Sequence, residues 1–318
     1  MGYFSVIKRK RFMSTLELNT EQFDLRVLEK LFEEEPYPNS VILVGKKGVG
    51  KKTLAKKICY QVNKENPKVL KGNFPDLHCY GPTFSGKNVF QKAEIEEIIE
   101  KSYIRPIEGP YKVFIMDQIT TFSWGAGEAF LKVLEEPPPK NLYIMTADSL
   151  SGIIPTIKSR AINIKIKDLP SQEIIPILKN RYPDSDKLEI ISKLSNGSIG
   201  TAIDIVNHNL LRIRNKLNEL LKSPNILPYD LINTTQWSEF PEDWEQKDKV
   251  KLILHFLKTF CVDSHRPFIN SDLEDINIPN VGKIINLIYL FETKFHHEYN
   301  FQVHLLSFWM DLHYLLKL

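Results

Sequence analysis

The segment Gly45-Lys46-Lys47-Gly48-Val49-Gly50-Lys51-Lys52-Thr53 lies between the apolar run Val41-Ile-Leu-Val44 and the start of a helical pattern. Glycines at this spacing let a backbone fold round a phosphate, and Lys51 supplies a point charge for it. The segment fits Gly-x-x-x-x-Gly-Lys-Ser/Thr everywhere except the last position, where Lys52 replaces the hydroxyl that should reach magnesium. A hydroxyl returns one residue late at Thr53, which a helix rotates by about 100° and lifts by about 1.5 Å, so Thr53 is not expected to ligate the metal. Lys46, Lys47, Lys51, Lys52, Lys56 and Lys57 make the corner basic, compatible with a bound anion and equally with a solvated surface.

Further along, Val113-Phe-Ile-Met116 ends in Asp117-Gln118, Leu142-Tyr-Ile-Met145 ends in Thr146, and Arg160 follows Ser159 after a short helical stretch. A continuous apolar run suits a strand buried on both faces of a parallel sheet, and such sheets place ligands at the carboxyl ends of their strands. Asp117 can hold a magnesium shell there, or simply cap a turn. Gln118 donates and accepts hydrogen bonds but cannot take a proton near neutral pH, as a Glu that polarises an attacking water must. Read alone, Thr146 can hydrogen-bond a turn and Arg160 can be a surface cation paired with a carboxylate.

These residues need a scaffold, and the patterns supply one. Between about 20 and 165, apolar runs at 41–44, 113–116 and 142–145 alternate with helical stretches Lys51–Val62 and Ala93–Ser102, a doubly wound α/β arrangement. In the second stretch Ile95, Ile98 and Ile99 share one face, with Glu94, Glu96, Glu97 and Glu100 outside. The segment Ile162–Ile166 alternates like a final strand. Helical patterns then follow over Pro170–Arg181, Asp186–Leu194 and Gly200–His208, a compact three-helix lid, and over 211–318, most clearly in Lys249–Phe260, Val281–Phe291 and Val303–Leu316. The last of these spreads Leu305, Leu306, Trp309, Met310, His313, Leu315 and Leu316 over a broad surface suited to a core or a subunit interface.

Composition bounds the classes. With 318 residues, 42% hydrophobic and 25% charged, the chain has room for two or three globular domains. A net charge of +3 names no partner and excludes a protein that coats nucleic acid by charge alone. Cys59, Cys79 and Cys261 are scattered without Cys-x-x-Cys spacing, which implies a reducing compartment and no metal site. There is no signal-peptide pattern and no run of about 18 apolar residues, so a soluble, cytoplasmic protein is expected, with Met1 or Met13 as its start. The cluster Lys8-Arg9-Lys10-Arg11 reads as a charged terminus or a contact to nucleic acid or a bound partner.

Together with Ala129-Phe-Leu-Lys-Val-Leu-Glu-Glu-Pro-Pro138, the segment Gly72-Asn-Phe-Pro-Asp76-Leu-His-Cys-Tyr80 and Ser195-Asn-Gly-Ser-Ile-Gly200-Thr-Ala202, these motifs resemble the delta-prime family of bacterial DNA polymerase III clamp-loader subunits, within the AAA+ ATPases. The resemblance implies an α/β AAA+ phosphate-loop core over 21–167, a small helical lid over 168–210, an all-α C-terminal collar over 211–318 and an N-terminal extension over 1–20. It implies a stator that helps load the sliding clamp onto primed DNA without hydrolysing ATP, in a hetero-pentameric ring with motor and delta subunits. On this resemblance Arg160 is an arginine finger aimed at the neighbour's ATP. Gly45, Gly48, Gly50, Lys51, Lys52, Thr53, Asp117 and Thr146 form a degenerate nucleotide site in which ATP or ADP is optional. Motor relatives carry an Arg where Gly200 stands, a third departure beside Lys52 and Gln118. Glu128 stands for a usual Asn and Ala161 for the Cys after Ser-Arg, and with only Cys59 and Cys79 near the loop no zinc is expected. An active motor of the same fold, with Thr53 and Gln118 as substitutes, and a non-replicative interaction protein remain the rival readings.

Overall fold

The computed structural model describes Leu28 and residues 30–85, 89–183, 185, 187–223, 225–265, 278–294 and 301–317. The extension expected over 1–20, with the basic cluster and Met13, lies outside them. The chain forms two compact units, Met1–Thr201 and Ala202–Leu318.

The first unit is built on five parallel strands, β1 (Ser40–Val44), β2 (Leu77–Tyr80), β3 (Lys112–Met116), β4 (Asn141–Ala147) and β5 (Ile162–Lys165), in the order β2-β3-β4-β1-β5. The apolar runs read from sequence are β1, β3 and β4, and every residue of each is buried. Successive side chains alternate faces. Val41, Leu43, Val113, Ile115, Leu142 and Ile144 pack with Leu54, Ile58 and Val62 of helix α1 (Lys51–Val62). Ile42, Phe114, Met116, Tyr143 and Met145 pack on the opposite face against α4 (Lys92–Ser102), α5 (Trp124–Glu135) and α6 (Pro155–Lys158). The short helices α2 (Pro67–Lys71) and α3 (Pro82–Ser85) flank β2. Helix α5 begins before Ala129, where its amphipathic pattern is first legible, with Ser123 at its N-cap in extended backbone.

Pairing aligns the chemistry. The register Leu43↔Thr146 and Met116↔Met145 brings the carboxyl ends of β1, β3 and β4 level, so the loop after β1, Asp117 and Thr146 meet at one edge. Helices α7 (Ser171–Arg181), α8 (Leu188–Leu194) and α9 (Ile199–Asn207) follow β5. Pro170 caps α7 as expected, and the helix tolerates an interior Pro176.

The second unit is helical: α10 (Leu211–Lys222), α11 (Pro228–Ile232), α12 (Gln246–His265), α13 (Val281–Lys294) and α14 (Phe301–Lys317). Its core joins Phe256 and Phe260 of α12, Ile288 and Phe291 of α13, and Leu305, Phe308, Trp309 and Leu312 of α14. Phe291 and Phe308 lie 4.8 Å apart by ring centroid, and Lys258 bridges to Glu292 at 2.6 Å. The broad apolar surface of the terminal helix is divided. Leu305 and Trp309 turn inward, whereas Val303, Leu306, Met310 and Tyr314 form an exposed stripe, each at least half accessible.

One buried carboxylate organises the connection into β3. Asp76, fully buried, accepts from the backbone N–H groups of Ile107 at 2.7 Å, Glu108 at 2.7 Å and Gly109 at 2.8 Å. An amide of the same shape would turn a donor towards these donors. Asp76→Asn should therefore lower stability by about 2–4 kcal/mol, the cost of a lost charge-assisted bond plus a buried unsatisfied group. Urea unfolding of the two proteins measures it, and a change below about 0.5 kcal/mol would contradict this role for the carboxylate.

Candidate functional site

At the end of β1 the chain turns sharply, with the Gly45 N–H donating to Ala147 O at 3.1 Å. A side chain at Gly45 is excluded because its Cβ would lie 2.6 Å from Ile166 O. Gly48 at φ 79° and Gly50 at φ 100° occupy the left-handed region that glycine enters without a Cβ clash. Gly50 then caps α1, accepting from Leu54 N at 2.9 Å.

The two lysines that follow are both engaged within the chain. Lys51 is buried, and its ammonium donates to Gly45 O, to Lys46 O at 2.9 Å and to Asp148 Oδ1 at 2.7 Å. An ammonium has three protons, so an incoming phosphate would have to displace one of these acceptors. Lys52 places its Nζ 3.6 Å from Asp117 Oδ2 and 5.4 Å from the centroid of the Phe84 ring. Asp117 is itself buried, and its Oδ1 receives the Thr146 hydroxyl proton. Thr146 Oγ1 also accepts the Gln118 N–H at 3.1 Å, and Gln118 sits at φ 58°.

A divalent cation does not fit this arrangement. The carboxylate that would hold it already faces a side-chain cation, and the position that should offer a metal-ligating hydroxyl carries that cation. Thr53 does not repair the gap: it is exposed and lines, with Lys52 and Lys56, a cavity on the outer face of α1 whose walls include neither Asp117 nor Thr146.

The lid is tied to the loop. Lys46 pairs with Asp168, Ser198 Oγ donates to Lys47 O at 3.1 Å, and Gly200 N donates to Gly48 O at 2.8 Å. A Cβ at Gly200 would lie 2.7 Å from Gly48 Cα. Position 200 thus has no room for any side chain, least of all the arginine that motor relatives place there.

Arg160 stands apart from this edge. Its carbonyl accepts from Ser40 Oγ at 2.9 Å, which fixes it beside the first residue of β1, whereas the loop leaves the last. At about 3.3 Å per strand residue these ends are on the order of 15 Å apart. The guanidinium reaches Glu135 Oε1 at 2.6 Å and Thr156 O at 3.0 Å. The structure thus gathers Gly45, Gly48, Gly50, Lys51, Lys52, Asp117 and Thr146 at one edge, directs Thr53 outward and sets Arg160 at the other end of β1. Asp148 and Glu135 went unread as partners; the only local signal for Asp148 is its place two residues beyond Thr146.

Burial pushes the Cys59 and Cys261 thiols up to about 12, and among the described residues no group of three or more His, Cys, Asp or Glu is placed to hold a metal ion. No described helix is long and apolar enough to cross a membrane.

Two variants test the self-satisfied loop. Lys52→Thr restores a hydroxyl but leaves Gln118 and Gly200 in place, so ATP turnover should stay at background in a coupled assay; measurable turnover would overturn this reading. Gly200→Arg should cost about 1–3 kcal/mol through overpacking against Gly48, seen as a melting temperature lowered by several degrees; an unchanged melting temperature would show that the lid contact is dispensable.

Over residues 20–170 the chain matches the family model described as DNA polymerase III, delta subunit. It is 26% identical over 253 residues to the DNA polymerase III subunit gamma of Buchnera aphidicola subsp. Schizaphis graminum, covering 71% of this chain and 68% of that one. It is 22% identical over 317 residues to the gamma subunit of Buchnera aphidicola subsp. Baizongia pistaciae, covering 93% and 83%. With the tau subunit of Bacillus subtilis it shares 27% over 197 residues, 57% of this chain and 35% of that one. Among solved structures, a DNA polymerase III gamma subunit-related protein of Thermotoga maritima superposes with a TM-score of 0.51 at 18% identity over 92% of this chain and 99% of that one, a likeness of fold. The parallel sheet with its glycine loop, the helices after β5 and the all-α second unit agree with these matches: the chain is similar to DNA polymerase III clamp-loader subunits.

Proposed function

We propose that this chain is the delta-prime-like, non-hydrolysing subunit of a DNA polymerase III clamp loader, working in replication to help place a sliding clamp on primed DNA. The observation that carries the reading is the pairing of Lys52 with Asp117, which puts a tethered cation where a motor needs magnesium. Lys51, spent on Asp148 and two loop carbonyls, adds to it. ATP or ADP is then at most a structural ligand of the loop, and the divisions 21–167, 168–210 and 211–318 serve as core, lid and collar of a cytoplasmic protein.

The motor reading is favoured by one finding, that the relatives named above are gamma or tau subunits. Steady-state ATPase of the isolated chain separates the two: a stator gives no turnover above background, and turnover abolished by Lys51→Ala would establish a motor.

In this reading Arg160 acts outside its own subunit. It lies too far from its own loop to reach a phosphate there, and its bond to Glu135 is an exposed one of the kind worth about 0–1 kcal/mol, readily exchanged for the multiple charge of a neighbour's γ-phosphate. A fixed positive charge there stabilises charge developing in the transition state. Arg160→Ala should leave the chain folded and incorporated with motor and delta subunits into a pentameric ring, while lowering the ring's DNA- and clamp-stimulated ATPase several-fold and slowing clamp loading. Arg160→Lys should rescue little, since a lone ammonium lacks the planar fork. Glu135→Gln, which frees the guanidinium, should not reduce either rate. Wild-type rates in an assembled Arg160→Ala ring would make Arg160 a surface residue.

The exposed stripe Val303, Leu306, Met310 and Tyr314 on α14 suits a collar contact, since apolar surface at helical spacing on an otherwise complete helix bundle is available for burial by a partner. Leu306→Glu with Met310→Glu should leave the melting temperature of the free chain nearly unchanged and abolish assembly in size-exclusion chromatography with the partner subunits; a ring that still forms would place the contact elsewhere.

A further inference from the structure

A cavity of about 430 Å³ opens on the outer face of α1, separate from the loop contacts of Lys51. Lys52, Thr53, Lys56, Lys57, Tyr60 and Phe84 line it. The α1 residues fall at the one-and-four spacing that puts side chains on a single helix face. The chemistry of the lining is one-sided. Helix α1, Lys-Lys-Thr-Leu-Ala-Lys-Lys-Ile-Cys-Tyr-Gln-Val, carries no acidic residue of its own, and none of the residues lining the cavity is acidic. Opposite the lysines stand apolar groups that water covers at a cost: Leu70 is 54% and Phe84 41% exposed. The Lys52 ammonium already lies over the Phe84 ring, which sets charge and a planar apolar wall within one ligand's span. The field of Lys56 and Lys52 extends through the wall to the half-buried Cys79 thiol on β2, where it opposes the upward push of burial.

We propose that this cavity binds a nucleotide unit, its phosphate held by Lys52 and Lys56 with the Thr53 hydroxyl, and its base laid against Phe84 and Leu70. A volume of about 300–1,000 Å³ is usual for small-molecule sites, and base–aromatic stacking on a basic groove is how sequence-tolerant nucleic-acid sites are made. The same chemistry has two sources, a free nucleoside phosphate or a single strand passing over α1. The site shares Lys52 and Thr53 with the end of the phosphate-loop segment but not Lys51, Asp117 or Thr146, and it does not depend on the stator role.

The full chain, at low salt and without magnesium, is titrated by fluorescence anisotropy with N-methylanthraniloyl-ATP and with a fluorescein-labelled thymidine decamer, and inorganic tripolyphosphate competes. Binding of either probe is expected, and whichever binds identifies the source. Lys56→Glu should weaken it at least tenfold and Phe84→Ala about 5- to 150-fold, the range of one stacked base. Both positions are exposed, so melting temperatures should match the wild type. Lys51→Ala should change affinity less than twofold. The proposal is overturned if neither probe binds, if tripolyphosphate competes as well as a nucleotide, or if Lys51→Ala abolishes binding that Lys56→Glu leaves intact.

Discussion

A carboxylate at the end of a strand buried on both faces must find a countercharge or a proton, because an uncompensated buried charge is among the most expensive features a fold can carry. Asp117 is in that position, and the surrounding corner can be read as the consequence. In a magnesium-dependent site the countercharge is a metal held jointly with a hydroxyl at the start of the first helix. Here the Thr146 hydroxyl takes one oxygen and the Lys52 ammonium approaches the other. At a separation of about 4 Å and an effective dielectric near 20, each unit of like charge brought beside that ammonium meets about 4 kcal/mol of repulsion. Asp117 does not need a metal, and the corner resists one.

The direction of the strands makes a second constraint. A parallel sheet puts all its loops of one kind at one edge, so the glycine loop, Asp117 and Thr146 gather at the carboxyl end. The segment that returns the chain to the amino end of β5 necessarily lies at the opposite edge, and Arg160 is on that segment, bonded through its carbonyl to Ser40. No rotamer carries its guanidinium along the length of β1. An arginine so placed is either a surface residue paired with Glu135 or a group offered to another molecule, and topology alone removes the third choice of action on its own loop.

What could be read from the sequence follows from the same physics. Strands β1, β3 and β4 were legible because burial on both faces leaves an unbroken apolar run; β2, an edge strand with a His and a Cys and only partial burial, had no such run and was placed only by its likeness to a family segment. Helix α1 was legible from its glycine opening, but α11, five residues long, is too short to show a period. The loop, Asp117, Thr146 and Arg160 were visible as residue types at element ends. Their partners were not, since Lys51–Asp148 and Glu135–Arg160 join positions far apart in sequence through the sheet and its helices, with no local periodicity to announce them. The division of α14 into a buried and an exposed stripe was likewise hidden, because Leu305 and Leu306 look alike until the packing of α13 chooses between them.

On the proposed reading, the residues at 52, 118 and 200 are physically linked. Lys52 supplies the charge that frees Asp117 from metal. Asp117 shares Thr146 with the Gln118 backbone, whose N–H donates to the same oxygen that gives its proton to the carboxylate, so the conformation at 118 is set by the strand end and not by a water to be polarised. Gly200, lacking a side chain, lets the lid backbone sit directly on Gly48, and an arginine there would have to lift the lid. On the same reading the three features are mutually consistent: without a metal a base for water has no task, and a lid arginine has no charge to meet. The loop, so read, is held as structure, its Lys51 completing hydrogen bonds within the chain, and the proposed contribution to a neighbour's hydrolysis lies at the other end of β1.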